Sequence, residues 1–231
     1  MKESYLSFLF NIPGGFVLDP RFFVGEKEET MTVMSNSIFS TRSIAKCAIL
    51  SAIAFILMFF DFPLPFAPSF YQLDFSELPV MLGAFAMGPM AGVVIEAVKV
   101  VLNLLFTGSD TAYVGELANF IIGVSFVVPA AMIYRHHKTK NNAIIGMVIG
   151  TICMTLMGCV FNYFILLPMY SVLYQLPMEA IIGMGQALIP LITDTFTFVC
   201  FAVVPFNIFK GIVISLITTL VYKHVSPLLH R

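Results

Sequence analysis

The chain has 231 residues, 59% of them hydrophobic and 11% charged, with a mean hydropathy of +0.94 and a formal charge of -1. A soluble domain carries about 25% charged residues and cannot bury this much apolar surface, and a near-neutral chain offers no basic field to nucleic-acid phosphates. What remains is an all-α polytopic membrane protein, and at about 20 apolar residues per crossing the length allows roughly six spans.

In chain order, residues 1–40 stand apart. They mix Pro13, Gly14, Gly15 and Pro20 with the charge run Glu26 to Glu29, and the apolar piece Tyr5 to Phe10 is too short for a signal-peptide core. The expectation is a poorly ordered leader, with Met31 and Met34 as alternative starts. The membrane domain is expected over 41–224, with a short tail at 225–231. Its first span is expected over about 43–60. Pro63, Pro65 and Pro68 make 61–74 a loop. The second span begins near Phe75 and ends at the turn signal Gly88-Pro89. The third covers about 90–106, and 107–113 is a polar loop. The fourth covers about 114–134 and ends in the basic run Arg135 to Lys140. The fifth covers about 143–167 and stops at Pro168. The stretch 176–204 is apolar but interrupted by Pro177, Pro190 and Asp194, and Pro205 comes directly after it. The last span is expected over about 205–222.

Charge placement sets the topology, because Lys and Arg mark cytoplasmic ends. With six spans, Arg42, Lys46, the 135–140 run, Lys223 and Arg231 share one side, opposite Asp61, Asp74, Asp110 and Glu179. Both termini are therefore expected in the cytoplasm, with 176–204 a re-entrant or interfacial segment on the outer face. Two lysines fall within spans, where a charge costs about 2.5–3.5 kcal/mol on the insertion scale. Lys99 lies three residues after Glu96, so the two can pair on one helix face. Lys210 has no acid at helical spacing and sits one turn from Asn207. It either snorkels to the outer interface or faces a ligand.

Motifs for chemistry are missing. No Gly-Lys dipeptide exists, so no P-loop can form, and there is no HExxH or G-x-S-x-G. Cys47, Cys153, Cys159 and Cys200 lack metal-ligand spacing and read as small core residues. His136, His137, His224 and His230 read as interfacial groups. No metal and no cofactor are expected. Two other patterns carry information. Ala45, Ala48 and Ala52 form a stripe of small residues that admits a close helix, inside this bundle or on a partner. Asp74, the 107–113 loop, Glu116, Asn119, Asn162, Asn207 and Lys210 fall at similar outer depth, with Phe75, Tyr113, Phe120, Tyr163 and Phe206 nearby. Convergent amides in an aromatic-lined pocket suit a planar, hydrogen-bonding small molecule. A self-sufficient secondary transporter, with Glu96 and Lys99 as coupling groups, and an intramembrane enzyme are the rival readings.

The runs FPLPFAPSFYQLDFSELPVMLGAFAMGPMAG (62–92), GSDTAYVGELANFIIG (108–123), NYFILLPMY (162–170) and PFNIFKG (205–211) resemble the riboflavin-specific S components of energy-coupling-factor (ECF) transporters. The Ala48-xxx-Ala52 pair resembles that family's helix-docking motif. The resemblance covers about 41–224. It implies six helices enclosing riboflavin near the outer surface of a bacterial plasma membrane, with FMN an open question. It further implies a transmembrane T component and two cytoplasmic ATPases as partners, and toppling of the loaded subunit as the release step. Carried over by motif, the riboflavin contacts are Leu73, Asp74, Ala112, Asn162, Asn207 and Lys210, and the partner contacts are Ala45, Ala48 and Ala52.

Overall fold

The computed structural model describes residues 40–229 apart from Phe66, Ser69 and Asp110, with side chains up to Tyr222. The leader expected over 1–40 lies almost wholly outside the described residues, as do Asp110 and the charged side chains of Lys223 and Arg231.

Helix α1 covers Thr41–Met58. It buries Cys47, Leu50, Ser51 and Ala54, a stripe at helical spacing, and leaves Ile44, Ile49, Ile53 and Ile56 exposed. The proline-rich loop after it is not helical, as expected. It closes on itself through a two-residue antiparallel ladder, β1 Phe62–Pro63 with β2 Gln72–Leu73. The ladder returns the chain to the bundle, where Asp74 precedes α2, Glu77–Met87. At 11 residues α2 is the one short member of the bundle, about 16 Å long at the α-helical rise. It ends at Gly88, and α3, Pro89–Thr107, begins at once. Helix α4 covers Val114–His136 and α5 covers Lys140–Leu173. A short α6, Met178–Gln186, lies before α7, which runs from Thr195 to Leu229. Five of these helices, α1, α3, α4, α5 and α7, are long and apolar enough to cross a membrane. With α2 they make the six expected, and α6 is the extra segment.

Two boundaries differ from expectation for one shared reason. The fifth span does not stop at Pro168, and the last does not start at Pro205. A proline ring normally clashes with the carbonyl four residues back. Here each proline comes just after a π-helical segment, Asn162–Leu166 and Val199–Val203. The N–H of Leu167 reaches the Asn162 carbonyl, and that of Val204 reaches the Val199 carbonyl. The wider turn displaces the carbonyl that proline would strike, so both helices continue. Asp194, expected to interrupt the apolar stretch, instead starts α7. Its Oδ1 accepts from the Thr197 N–H at 2.7 Å, completing a capping box. The segment expected at 176–204 is therefore shorter, because 195–204 belongs to α7.

Apolar burial alone does not hold helices together in lipid, so close backbone approach matters. Helices α4 and α5 achieve it through Gly146 and Gly150. A Cβ on Gly150 would run into the Phe126 carbonyl oxygen, and one on Gly146 would lie 2.6 Å from that of Ala130. The main core lies between α1, α2, α3, α4, α5 and α7, around Val80, Ile95, Phe126, Met154 and Ile214. A second cluster joins Ile181 and Ile192 to Leu167, Phe198 and Val203, and so seats α6 and the turn after it on one end of α5 and α7. That end also carries the β-ladder loop, and it holds the site.

Candidate functional site

The site is built from five places in the chain. Asp74 comes from the loop before α2, Asn162 from the π segment of α5, and Asn207 and Lys210 from α7 just beyond its own π segment. Asn119 comes from α4, and Tyr71 from the loop after β1. All six line one cavity of about 180 Å³ between the bundle and the loop. Its walls include Phe70, Tyr71, Tyr170 and Phe206, with the Tyr71 and Phe206 rings 5.3 Å apart.

The polar groups are ordered by their own bonds. Lys210 Nζ donates to Asp74 Oδ2 at 3.0 Å, a pair 136 residues apart in sequence. The Ser76 backbone N–H donates to Asp74 Oδ1 at 2.7 Å. Burial alone would raise the Asp74 carboxyl, but Lys210 and then Lys99 outweigh it and hold the group at about 2. Asp74 is thus ionised at neutral pH, and Lys210 is its counter-ion. Asn162 Nδ2 donates to the Gly158 carbonyl at 2.8 Å, and Asn207 Nδ2 to the Val203 carbonyl at 2.9 Å. Both amides are buried and held at one end by helix backbone, which fixes the direction of each Oδ1. The Asn162 Oδ1 accepts from the Tyr71 hydroxyl. Burial pushes that hydroxyl well above its ordinary range, so it remains a donor.

Of the residues expected at the site, Asp74, Asn162, Asn207 and Lys210 are brought together. The Leu73 side chain packs with Leu64, Ala67 and Phe206 in a small core beside the cavity and does not line it. Ala112 is exposed at the apex of the α3–α4 loop with φ of +48° and does not line the cavity either. Glu116 accepts from the Ser109 and Thr111 hydroxyls and organises that loop instead. Among the aromatics, Phe206 lines the wall, whereas Tyr113 is exposed and Phe75, Phe120 and Tyr163 lie elsewhere. Ala45, Ala48 and Ala52 are all exposed, so the stripe is not used inside the bundle. Of the cysteines, Cys47 is in the core and the other three are half-buried.

Sequence reasoning missed Tyr71, Glu77 and Gly123, which also line the cavity. Tyr71 gave no signal in a loop crowded with aromatics. Glu77 sits at the start of a helix, where an acid usually serves the helix dipole. Its actual partner is Lys99, 2.9 Å away. Lys99 also meets Glu96 at 2.7 Å, the pairing expected from sequence, and donates to Ser76 Oγ at 3.2 Å.

The family model for the substrate-specific component of ECF transporters matches residues 42–222. The chain belongs to that family. It is therefore a transport component of a membrane and not an enzyme. It is 39% identical over 184 residues to the riboflavin transporter RibU of Staphylococcus aureus (strain TCH60), covering 80% of this chain and 90% of that one. It is 30% identical over 187 residues to the riboflavin transporter FmnP of Bacillus subtilis (strain 168), covering 80% and 93%. The solved S component of a bacterial ECF transporter superposes with a TM-score of 0.63 at 38% identity, over 81% of this chain and 97% of that one. The cavity of this S component thus lies in the substrate-specific part of a transporter, and a small-molecule site there is what the family requires.

Proposed function

We propose that this S component captures riboflavin in the cavity between the β-ladder loop and helices α4, α5 and α7. The observation that carries the reading is the convergence of Asp74, Asn162, Asn207 and Lys210 in an aromatic-walled cavity. Aromatic walls suit the flat flavin ring. The ring's imide edge alternates carbonyl acceptors with one N–H donor. Asn207 Oδ1 and Lys210 Nζ, one turn apart on α7, offer an acceptor and a donor to match it. Asn162 is reached by exchanging its bond from Tyr71 for one from the ligand. The names of the two relatives support the same substrate.

In this reading the cavity end faces outward and the basic run Arg135 to Lys140 faces the cytoplasm, which places both termini inside. The chain has no P-loop, so energy for import comes from two cytoplasmic ATPases through a T component. The exposed Ala48 and Ala52 of α1 are where that component docks. Glu96 and Lys99, the coupling groups a self-sufficient transporter would need, are locked in a buried ion pair instead. Calorimetry of the purified chain with riboflavin tests the proposal. A nanomolar dissociation constant, about -12 kcal/mol, is expected without ATP. No heat of binding below micromolar riboflavin would overturn it.

A further inference from the structure

Behind the cavity lies a connected set of buried charges. Lys210 pairs with Asp74, Ser76 joins Asp74 to Lys99, and Lys99 pairs with both Glu77 and Glu96. Three carboxylates thus face two ammonium groups. Lys99, Glu77 and Glu96 are fully buried, at 0%, 1% and 0% exposure. Glu96 Oε2 is buried without a hydrogen-bond partner as well, but of the two acids only Glu77 lines the cavity. Its Oε1 accepts from Lys99, but its Oε2 has no hydrogen-bond partner. Such a buried acceptor is costly unless something donates to it. The opposite wall is cut back to admit these carboxylates. A Cβ on Gly123 would lie 2.5 Å from Glu96 Oε1 and 3.0 Å from Glu77 Oε1. No side chain other than glycine fits there while both acids keep their places.

We propose that Glu77 is a ligand-contact residue whose Oε2 accepts a hydrogen bond from a hydroxyl of the ribityl chain. The inference rests on the flavin reading above. Chemistry selects the chain over the ring. A carboxylate beside the imide edge would face two ring carbonyls and be repelled by them. A hydroxyl donates without that penalty, and an ionised acceptor makes such a bond shorter and stronger than a neutral one. The Asn207–Lys210 pair on α7 then holds the ring, and Glu77 on α2 selects a polyol substituent.

Lumiflavin, which carries a methyl group in place of the ribityl chain, separates the two roles. Riboflavin and lumiflavin would be titrated by flavin fluorescence quenching against the wild type, Glu77→Gln and Glu96→Gln. Glu77→Gln is expected to lose about tenfold or more in riboflavin affinity and to leave lumiflavin affinity unchanged. Glu96→Gln removes an equally buried partner of Lys99 but does not line the cavity, so the ratio of the two affinities should stay at its wild-type value. Should Glu77→Gln fail to fold, Glu77→Asp keeps the charge for Lys99 and withdraws the carboxylate by one methylene. The same riboflavin-selective loss is expected of it. An equal loss for both flavins on substitution of Glu77, or a riboflavin-selective loss in Glu96→Gln, would overturn the assignment. A wild type that binds neither flavin would instead overturn the flavin reading itself.

Discussion

Lys210 illustrates how much a single residue's meaning depends on a distant partner. In sequence it stands without an acid at helical spacing, so snorkelling and ligand contact are both open. The structure gives it Asp74, across 136 residues, at 3.0 Å. That pair removes the need to snorkel, because the ammonium is already compensated at depth. It also orients Nζ along the cavity wall. We expect Lys210→Met, which keeps most of the stem, to weaken riboflavin about 10- to 100-fold, read by flavin titration. Binding like the wild type would mean that the lysine serves Asp74 alone. Lys99 is the complementary case. Its i, i+3 partner Glu96 was legible from spacing, but Glu77 was not, because that contact is made between α2 and α3.

The helices show why boundaries were harder to read than spans. Apolar length locates each membrane helix, and the break at Gly88 is where the Gly-Pro signal places it. Pro168 and Pro205 do not end their helices, because a proline's usual effect assumes α-helical spacing. A π segment before each one restores continuity. These two segments also set the rotational phase of the helix beyond them, and Asn162 and Asn207 lie within or just after them. The helix interface of α4 with α5 depends on a different local feature, the Gly146-xxx-Gly150 pair. Leucine at position 150 would drive its side chain into the Phe126 carbonyl, which already crowds the Cβ position. We expect Gly150→Leu to separate these helices and cost about 1–3 kcal/mol. Thermal unfolding in detergent should show a lower midpoint, with flavin affinity falling as the cavity wall of α5 moves. An unchanged midpoint would show that the interface can shift without cost.

At the scale of the whole molecule, the cavity lies at one end, and the small-residue stripe of α1 is exposed apart from it. The cavity end carries the β-ladder loop and α6, which is seated through Ile181 and Ile192. The face of α1 that carries Ala45, Ala48 and Ala52 is exposed, and it is separate from the cavity residues. Binding and assembly should therefore be separable by mutation. We expect Ala48→Trp to abolish riboflavin uptake with the ATPase module and co-purification with the T component, because a bulky side chain holds the partner helix away. Flavin affinity should remain within about threefold of the wild type, a change of under 1 kcal/mol. Lost affinity with intact co-purification would show that the stripe supports the bundle and not the partner.

The amino-acid sequence by itself determined that this chain lives in a membrane, which segments form the six helices of its bundle, and which residue types gather at one depth. Those properties arise from apolar length and charge placement, which are local quantities. Tertiary structure decided the rest: that Lys210 answers to Asp74, that Tyr71 reaches Asn162, and that Glu77 borders the cavity while Glu96 does not. It also decided that Ala112 and the Leu73 side chain stay out of the cavity wall. The reason is physical. Depth in the membrane is set by position along a helix, but whether a side chain faces a ligand is set by helix rotation and by which neighbour packs beside it, and the two π segments alter that rotation without leaving a mark in the apolar pattern.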